Sequence, residues 1–173
     1  PMSTYVVGDI QGCFAELEEM LQTISFKKNF DRLIVAGDLI TRGPNNLDTV
    51  RLLRQLSAEL VLGNHDLHFL AVVAGIKSAN KKDTIHDLLE APDLAEIVEW
   101  LRNQPLIIDL KTHHSVVVHA GIPHIWNITE ALEYAREVEV VLQSEDYEDF
   151  FDHMYGDIPD QFSEDLSGCL LYT

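Results

Sequence analysis

Four short motifs hold the side chains of this sequence that are best suited to chemistry. They are Gly8-Asp9-Ile10-Gln11-Gly12, Gly37-Asp38, Gly63-Asn64-His65-Asp66 and His119-Ala120-Gly121. Together they supply carboxylates, amide carbonyls and imidazoles, the ligand types that hard or borderline divalent metals select. A single motif of this kind is better explained as a turn and helix cap after a strand. Four of them in order favour a two-metal site that hydrolyses phosphoesters.

The elements that must position these motifs follow from the apolar runs before and after them. Apolar runs predict strands over 4–7, 33–36 and 59–62. Helical spacing predicts a helix after each of them, over 13–24, 47–56 and 67–73. This rhythm predicts βαβ crossovers and a largely parallel sheet. Because the carboxyl ends of parallel strands open into one crevice, we expect the polar residues after them to meet there.

The middle of the chain has a different pattern. A polar loop over 77–83 leads into an acidic helical stretch over 84–103, whose second half is expected to open at Pro92-Asp93. Strands are predicted over 106–110 and 115–118. Their connection is short, so we expect them to be antiparallel.

The rest of the chain is predicted to contain two helices and a last strand. The first helix covers 129–142 with Thr129 as its N-terminal cap, and the second, acidic helix covers 145–153. An apolar strand over 170–172 ends the sequence. Because the chain stops inside that strand, we expect it to be a portion of a longer protein.

Composition restricts the classes of function that fit. Residues 1–173 fit one domain, with a helical insertion at about 77–104. The 29 acidic residues against 12 basic ones give a formal charge of −17, which opposes binding to nucleic acid or an anionic membrane. Bound dications would reverse that sign locally, so phosphate chemistry remains compatible. Two cysteines outside any CxxC spacing predict a reducing, cytoplasmic location, and no apolar run reaches the roughly 20 residues of a membrane span.

The motifs GDIQGC, GDLITRGP, GNHDL and HAG resemble the motif set of the calcineurin-like metallophosphoesterases. Within that family, GDLITRGPNNLDTVRLL, LVLGNHDLHFLAV, LLEAPD and MYGDIPDQFSEDLSG are similar to the bacterial symmetrical diadenosine tetraphosphatases. The resemblance runs over essentially the whole chain. It implies an α/β fold in which mixed β-sheets pack together and are flanked by helices.

The resemblance also implies an activity and a cofactor. The activity is hydrolysis of the small molecule diadenosine tetraphosphate to two ADP by water activated at two divalent metal ions. Mn²⁺ is the expected metal, with Co²⁺ and Mg²⁺ as alternatives. Two other functions stay open: a general or protein serine/threonine phosphatase, and a non-catalytic module. The departure of GDLITRGP from GDxxDRG disfavours the first of these, and metal content would discriminate the second.

The same resemblance implies a metal-binding role for five residues. Asp38 would bridge the two ions. Asp9 and Gln11 would belong to the first ion, and Asn64 and His119 to the second.

It implies catalytic and substrate-binding roles for the neighbouring side chains. His65 matches the general acid that protonates the departing phosphate oxygen. Arg42 matches the arginine that grips the phosphoryl group, a role that suits its planar, forked guanidinium. The expected catalytic residues are His65, Asp38 and Arg42. The expected substrate-binding residues are Arg42, Asn64 and His65.

Three departures from the family pattern alter these expectations. Gln11 stands where much of the family has His, so we expect weaker or water-mediated binding at the first ion. Thr41 stands where protein phosphatases have an Asp that orients the general acid, so His65 should be less basic or use another partner. A late Gly-His motif, which gives the second ion a further ligand, is absent from this sequence, in keeping with a portion of a longer protein.

Two more side chains allow both a functional and a structural interpretation. His68 lies three residues after His65 on the same helix face, either near the site or simply on the helix surface. Trp126 could stack a nucleobase or pack in the core. The structural interpretation is favoured for both.

Overall fold

The computed structural model describes residues 3–155 and residue 166. The strand predicted over 170–172 lies outside the described residues. The first half alternates strands and helices: β1 (Thr4–Val7), α1 (Phe14–Thr23), β2 (Arg32–Val35), α2 (Asn46–Leu56), β3 (Glu59–Leu60) and α3 (Asn64–Val73). The three strands form one parallel sheet in the order β1-β2-β3. The predicted βαβ arrangement is therefore confirmed.

The second half is helical apart from one antiparallel pair of strands. Its elements are α4 (His86–Leu89), α5 (Leu94–Arg102), β4 (Ile107–Leu110), β5 (Ser115–Val118), α6 (Ile128–Gln143) and α7 (Tyr147–Met154). Strands β4 and β5 are joined by a short 3-10 turn and pair antiparallel, with Ile108 opposite Val117. None of the helices within residues 3–155 combines the length and apolar character that crossing a bilayer requires.

The central strand β2 is apolar throughout its buried part because both of its faces are covered. Leu33 and Val35 face the main core beneath the helices, whereas Ile34 lies in a second cluster on the opposite face. That second cluster contains Ile108 and Val117 from the antiparallel pair. The two sheets thus pack face to face and helices cover the outside of the parallel one, so the predicted α/β class is confirmed.

The predicted start and cap of helix α6 were wrong. Helix α6 begins at Ile128, and its cap is Asn127 rather than Thr129. The Asn127 side chain accepts a hydrogen bond from the Glu130 backbone N–H at 3.0 Å, and the Glu130 carboxylate accepts one from the Asn127 backbone N–H at 2.8 Å. This reciprocal capping box satisfies two backbone donors, whereas Thr129 lies inside the first turn.

Helix α3 also begins earlier than predicted, at Asn64 instead of residue 67. The cause is Asp66, whose Oδ2 accepts a hydrogen bond from the Gly63 backbone N–H at 2.9 Å and closes the first turn. Asn64 and His65 therefore belong to the first turn of a helix, which fixes the direction of both side chains.

Candidate active site

The loops that follow β1, β2 and β5 bring three predicted metal ligands together. One ligand atom from each of Asp9, Asp38 and His119 lies within 4.8 Å of the others. These residues are separated by as many as 110 positions in the sequence and meet because their strands end at the same edge. The expected crevice is therefore present, and two carboxylates and one imidazole face into it.

Asp38 lies at the centre of this arrangement. Its side chain is only 6% exposed, and its Oδ1 accepts a hydrogen bond from the His65 backbone N–H at 2.9 Å. The same oxygen is 3.5 Å from Nε2 of His119. The residue has a φ of 52°, in the left-handed region that Asp tolerates better than most residues. This backbone turn directs the carboxylate back over the strand ends.

His119 presents an unprotonated nitrogen to the crevice whenever its ring is neutral. Its Nδ1 is 2.9 Å from the Ala36 carbonyl oxygen, which only accepts hydrogen bonds, so Nδ1 carries the proton. Nε2 is then a lone-pair donor, and it lies 3.2 Å from Oδ1 of Asn64. Asn64 thus adds a fourth potential ligand atom to the cluster.

Gln11, the fifth predicted ligand, lies beside the carboxylate in a different orientation. Its amide Nε2 donates to Asp38 Oδ2 at 3.3 Å, and its Oε1 accepts from the Thr41 hydroxyl at 3.5 Å. The carbonyl oxygen that would bind a metal directly is therefore directed at Thr41. Gln11 supports Asp38 in this geometry, and its role as a ligand stays a prediction.

Two glycines allow the cluster to be this compact. A Cβ on Gly63 would overlap Oδ1 and the backbone nitrogen of Asp38. A Cβ on Gly37 would overlap the imidazole of His119, and Gly37 also has a φ of +90° that favours glycine. The two glycines leave room for the carboxylate, amide and imidazole groups to approach each other. These groups suit divalent metal ions. The donor set therefore fits the predicted cofactor.

Residues 2–169 match the family described as calcineurin-like phosphoesterase. The chain belongs to this family. The family implies divalent metal ions, and the donor set above fits such ions.

Curated relatives of this phosphoesterase chain share close to half of its sequence. A Photobacterium profundum protein named symmetrical bis(5′-nucleosyl)-tetraphosphatase is 50% identical over 173 residues, covering 99% of this chain and 63% of that protein. Proteins of the same name from Salmonella paratyphi C and Pectobacterium atrosepticum are 48% identical over 169 residues, covering 96% of this chain and 60% of theirs. The chain therefore spans about three fifths of the length of these relatives.

A solved structure has the same fold. The crystal structure of a candidate diadenosine tetraphosphatase superposes on this phosphoesterase chain with a TM-score of 0.61 at 34% sequence identity. The superposition covers 74% of this chain and 58% of the other.

His65 of the phosphoesterase motif GNHD is held between Thr41 and Asp38. Its Nδ1 is 2.5 Å from the Thr41 hydroxyl oxygen, and its Nε2 is 4.0 Å from Asp38 Oδ2. Thr41 is fully buried and has a φ of 101°, which is costly for a β-branched residue. Its backbone N–H donates to Asn46 Oδ1 at 2.9 Å. Thr41, which stands where protein phosphatases have the orienting Asp, thus contacts the ring directly.

Asp66 is a buried member of this motif whose role the sequence analysis missed. Its two oxygens accept hydrogen bonds from the backbone N–H groups of Leu39 and Gly63, both at 2.9 Å, and so join the loops after β2 and β3. Burial raises the pKa of the Asp66 carboxyl to about 7, and the negative charge of Asp38 adds to the rise. The available signal was its position, three residues after a glycine at a strand end, where capping carboxylates occur.

Arg42 lies at the rim of the cluster, not within it. Its guanidinium Nη1 is 3.6 Å from Oδ1 of Asp83, and its side chain remains 36% exposed. It borders a cleft of about 350 Å³ together with Asn64 and His65. His68 borders the same cleft and is 3.0 Å from the Asp83 carboxylate. The predicted substrate-binding residues Arg42, Asn64 and His65 therefore line the same cleft.

Trp126 lies on the other side of His119. Its ring packs against Tyr134 with centroids 4.9 Å apart, and it lines an apolar cavity of about 140 Å³. His119, a member of the candidate metal site, also lines that cavity. These contacts are those of a packed aromatic residue, which was the favoured interpretation.

Proposed function

We propose that this chain is the metal-binding and catalytic part of a symmetrical diadenosine tetraphosphatase, which converts diadenosine tetraphosphate into two ADP. The observation that carries the proposal is the meeting of Asp9, Asp38 and His119 at one crevice. The substrate class is supported by relatives of that name with 48–50% identity over nearly the whole chain. A reducing cytoplasmic location, suggested by cysteine usage, agrees with a nucleotide substrate.

The proposed cofactor is a pair of divalent ions, with Mn²⁺ ahead of Co²⁺ and Mg²⁺. Asp38 would bridge them, Asp9 would bind one, and Asn64 and His119 would bind the other. A mixture of oxygen donors and one imidazole supports Mn²⁺ over Mg²⁺, which prefers oxygen alone. When bound, such ions polarise phosphoryl oxygens and lower the pKa of water.

The chain's own residues would orient the substrate and supply a proton. In the protonated imidazole of His65, Nδ1–H donates to the Thr41 hydroxyl, and the Thr41 hydroxyl in turn donates to Oε1 of Gln11. This series of bonds fixes the ring, so that Nε2–H is free to donate to the leaving phosphate oxygen. Oδ2 of Asp38 lies 4.0 Å from Nε2, so this nitrogen is on the side of the ring that faces the candidate metal site.

Arg42 and Asn64 would bind the phosphoryl group beside His65. The formal charge of −17 would repel a polyphosphate, so local positive charge is needed where the substrate enters. Arg42 supplies that charge at the cleft, and its planar fork matches two phosphoryl oxygens.

The test uses the full-length protein, purified with Mn²⁺ and incubated with diadenosine tetraphosphate. Chromatography should detect ADP as the sole nucleotide product. Formation of ATP and AMP, or no product, would overturn the proposed specificity. Faster release of phosphate from phosphopeptides would favour a protein phosphatase, and fewer than two bound dications per chain would favour a non-catalytic module.

A further inference from the structure

The segment between α3 and α4 holds the backbone on both sides of Arg42. The Thr84 backbone N–H donates to the carbonyl oxygen of Thr41 at 2.8 Å, and the Thr84 hydroxyl donates to that of Gly43 at 2.5 Å. The Thr84 carbonyl oxygen accepts a hydrogen bond from the Asn46 side chain at 2.7 Å. Thr84 therefore fixes the residues before and after Arg42, although it lies more than forty positions away.

The neighbouring Asp83 faces the Arg42 side chain with a fully buried carboxylate. Its Oδ2 accepts a hydrogen bond from the Asn80 backbone N–H at 2.6 Å and lies 3.0 Å from Nε2 of His68. Nδ1 of His68 is 3.0 Å from the Tyr155 hydroxyl, which can donate to it, so Nε2 is free to donate to Asp83. One oxygen of Asp83 is thus held firmly by its surroundings.

The other oxygen of Asp83 depends on Arg42. Oδ1 is buried and has no hydrogen-bond partner among the described residues, while Arg42 Nη1 lies 3.6 Å away. A buried carboxylate oxygen is unfavourable unless a cation or donor compensates it. Arg42 provides that compensation, and the attraction keeps its guanidinium at the mouth of the cleft it shares with His65.

We infer that Asp83, with Thr84, is a positioning residue for Arg42. Thr84 fixes the backbone and Asp83 fixes the guanidinium, so the arginine reaches the phosphoryl group already oriented. Pre-organisation of this kind removes the cost of ordering a long side chain when the substrate binds. The inference rests on the proposed function, in which Arg42 grips the phosphoryl group.

A double-mutant cycle in the full-length Mn²⁺ enzyme tests this inference. We expect Asp83→Asn to lower kcat/KM for diadenosine tetraphosphate by about 10- to 100-fold, the range typical of losing an outer partner, with unchanged metal content. In an Arg42→Ala background the same substitution should change kcat/KM by less than about twofold, since partners that act together are not additive. Asp93→Asn is the matched control because it removes an aspartate–arginine pair, with Arg51, elsewhere on the surface.

The outcomes separate failure of the inference from failure of the proposed function. Equal losses from Asp83→Asn in both backgrounds, or no loss in the wild-type background, would overturn the inference alone. Full activity of Arg42→Ala would overturn both the inference and the proposed role of Arg42. If Asp83→Asn does not fold, Thr84→Val takes its place in the double-mutant cycle. This substitution removes the hydroxyl that donates to the Gly43 carbonyl and preserves the shape of the side chain.

Discussion

Nε2 of His119 and Oδ1 of Asn64 lie 3.2 Å apart, and both are hydrogen-bond acceptors when the His119 ring is neutral. Two acceptors at this distance repel each other unless a proton or a cation lies between them. The geometry is therefore compatible with the proposed ion at this position, and the buried carboxylate of Asp38 is 3.5 Å from the same nitrogen.

This relationship predicts that replacing His119 reduces the amount of metal that the protein binds. His119→Ala should lower the metal content of the purified protein from two ions per chain towards one, because the proposed second ion would lose its only imidazole ligand within the described residues. Inductively coupled plasma mass spectrometry gives the count. His113→Ala, on an exposed histidine of the β4–β5 turn, is the control and should keep both ions. Equal metal content in the two variants would refute the role of His119.

Thr41 is predicted to matter through its hydroxyl. Thr41→Val removes the partner of His65 Nδ1 and should lower kcat by about tenfold, less than the ~10²–10⁴-fold expected for loss of the general acid itself, with little change in KM. Thr41→Ser keeps the hydroxyl and should retain most of the rate. Steady-state kinetics at several pH values checks both variants. A Thr41→Val enzyme as fast as Thr41→Ser would show that the contact has no role in orienting His65.

Gly63 is predicted to be required for space and not for backbone freedom. Its φ is −102°, so Gly63→Ala is not strained by its backbone, yet the new Cβ would overlap the Asp38 carboxylate. We expect overpacking to lower the free energy of unfolding by roughly 1–3 kcal/mol, with a lower melting temperature and loss of bound metal. Gly8→Ala is the matched control, because a Cβ there meets nothing within 4 Å. Similar melting temperatures and metal contents for both variants would contradict the geometry.

The corrected start of α6 gives a prediction about stability alone. Asn127→Ala should lower the free energy of unfolding by about 1 kcal/mol, because the capping box of Asn127 with Glu130 is lost. Thr129→Ala should change it by only a few tenths of a kcal/mol, since Thr129 is not the cap. Urea unfolding of both variants measures the difference. A larger effect from Thr129→Ala would restore the original prediction.

The parallel sheet and the crevice could be predicted from the sequence because their signals are local. Each strand is a short apolar run followed by Gly and a polar residue, and strand–helix–strand order determines which ends meet. The grouping of Asp9, Asp38 and His119 follows from that order together with the end of β5. No side-chain geometry was needed to anticipate it.

The contacts around Arg42 and His65 could not be predicted from the sequence for a physical reason. The hydroxyl of Thr41 reaches His65 only because its backbone has a φ of 101°, and sequence pattern gives no sign of that angle. Asp83 lies in what the sequence indicates is a polar loop. Its burial depends on long-range packing against His68 and Arg42.

The measurement that most directly tests the central claim is an anomalous difference map from crystals of the full-length protein grown with Mn²⁺. We expect two peaks beside Asp38, one contacting Asp9 and the other contacting Asn64 and His119. Replacing the proposed bridge by Asp38→Asn should remove at least one peak and nearly all turnover. Peaks elsewhere in the protein, or an Asp38→Asn enzyme that keeps more than about a tenth of its activity, would contradict the account.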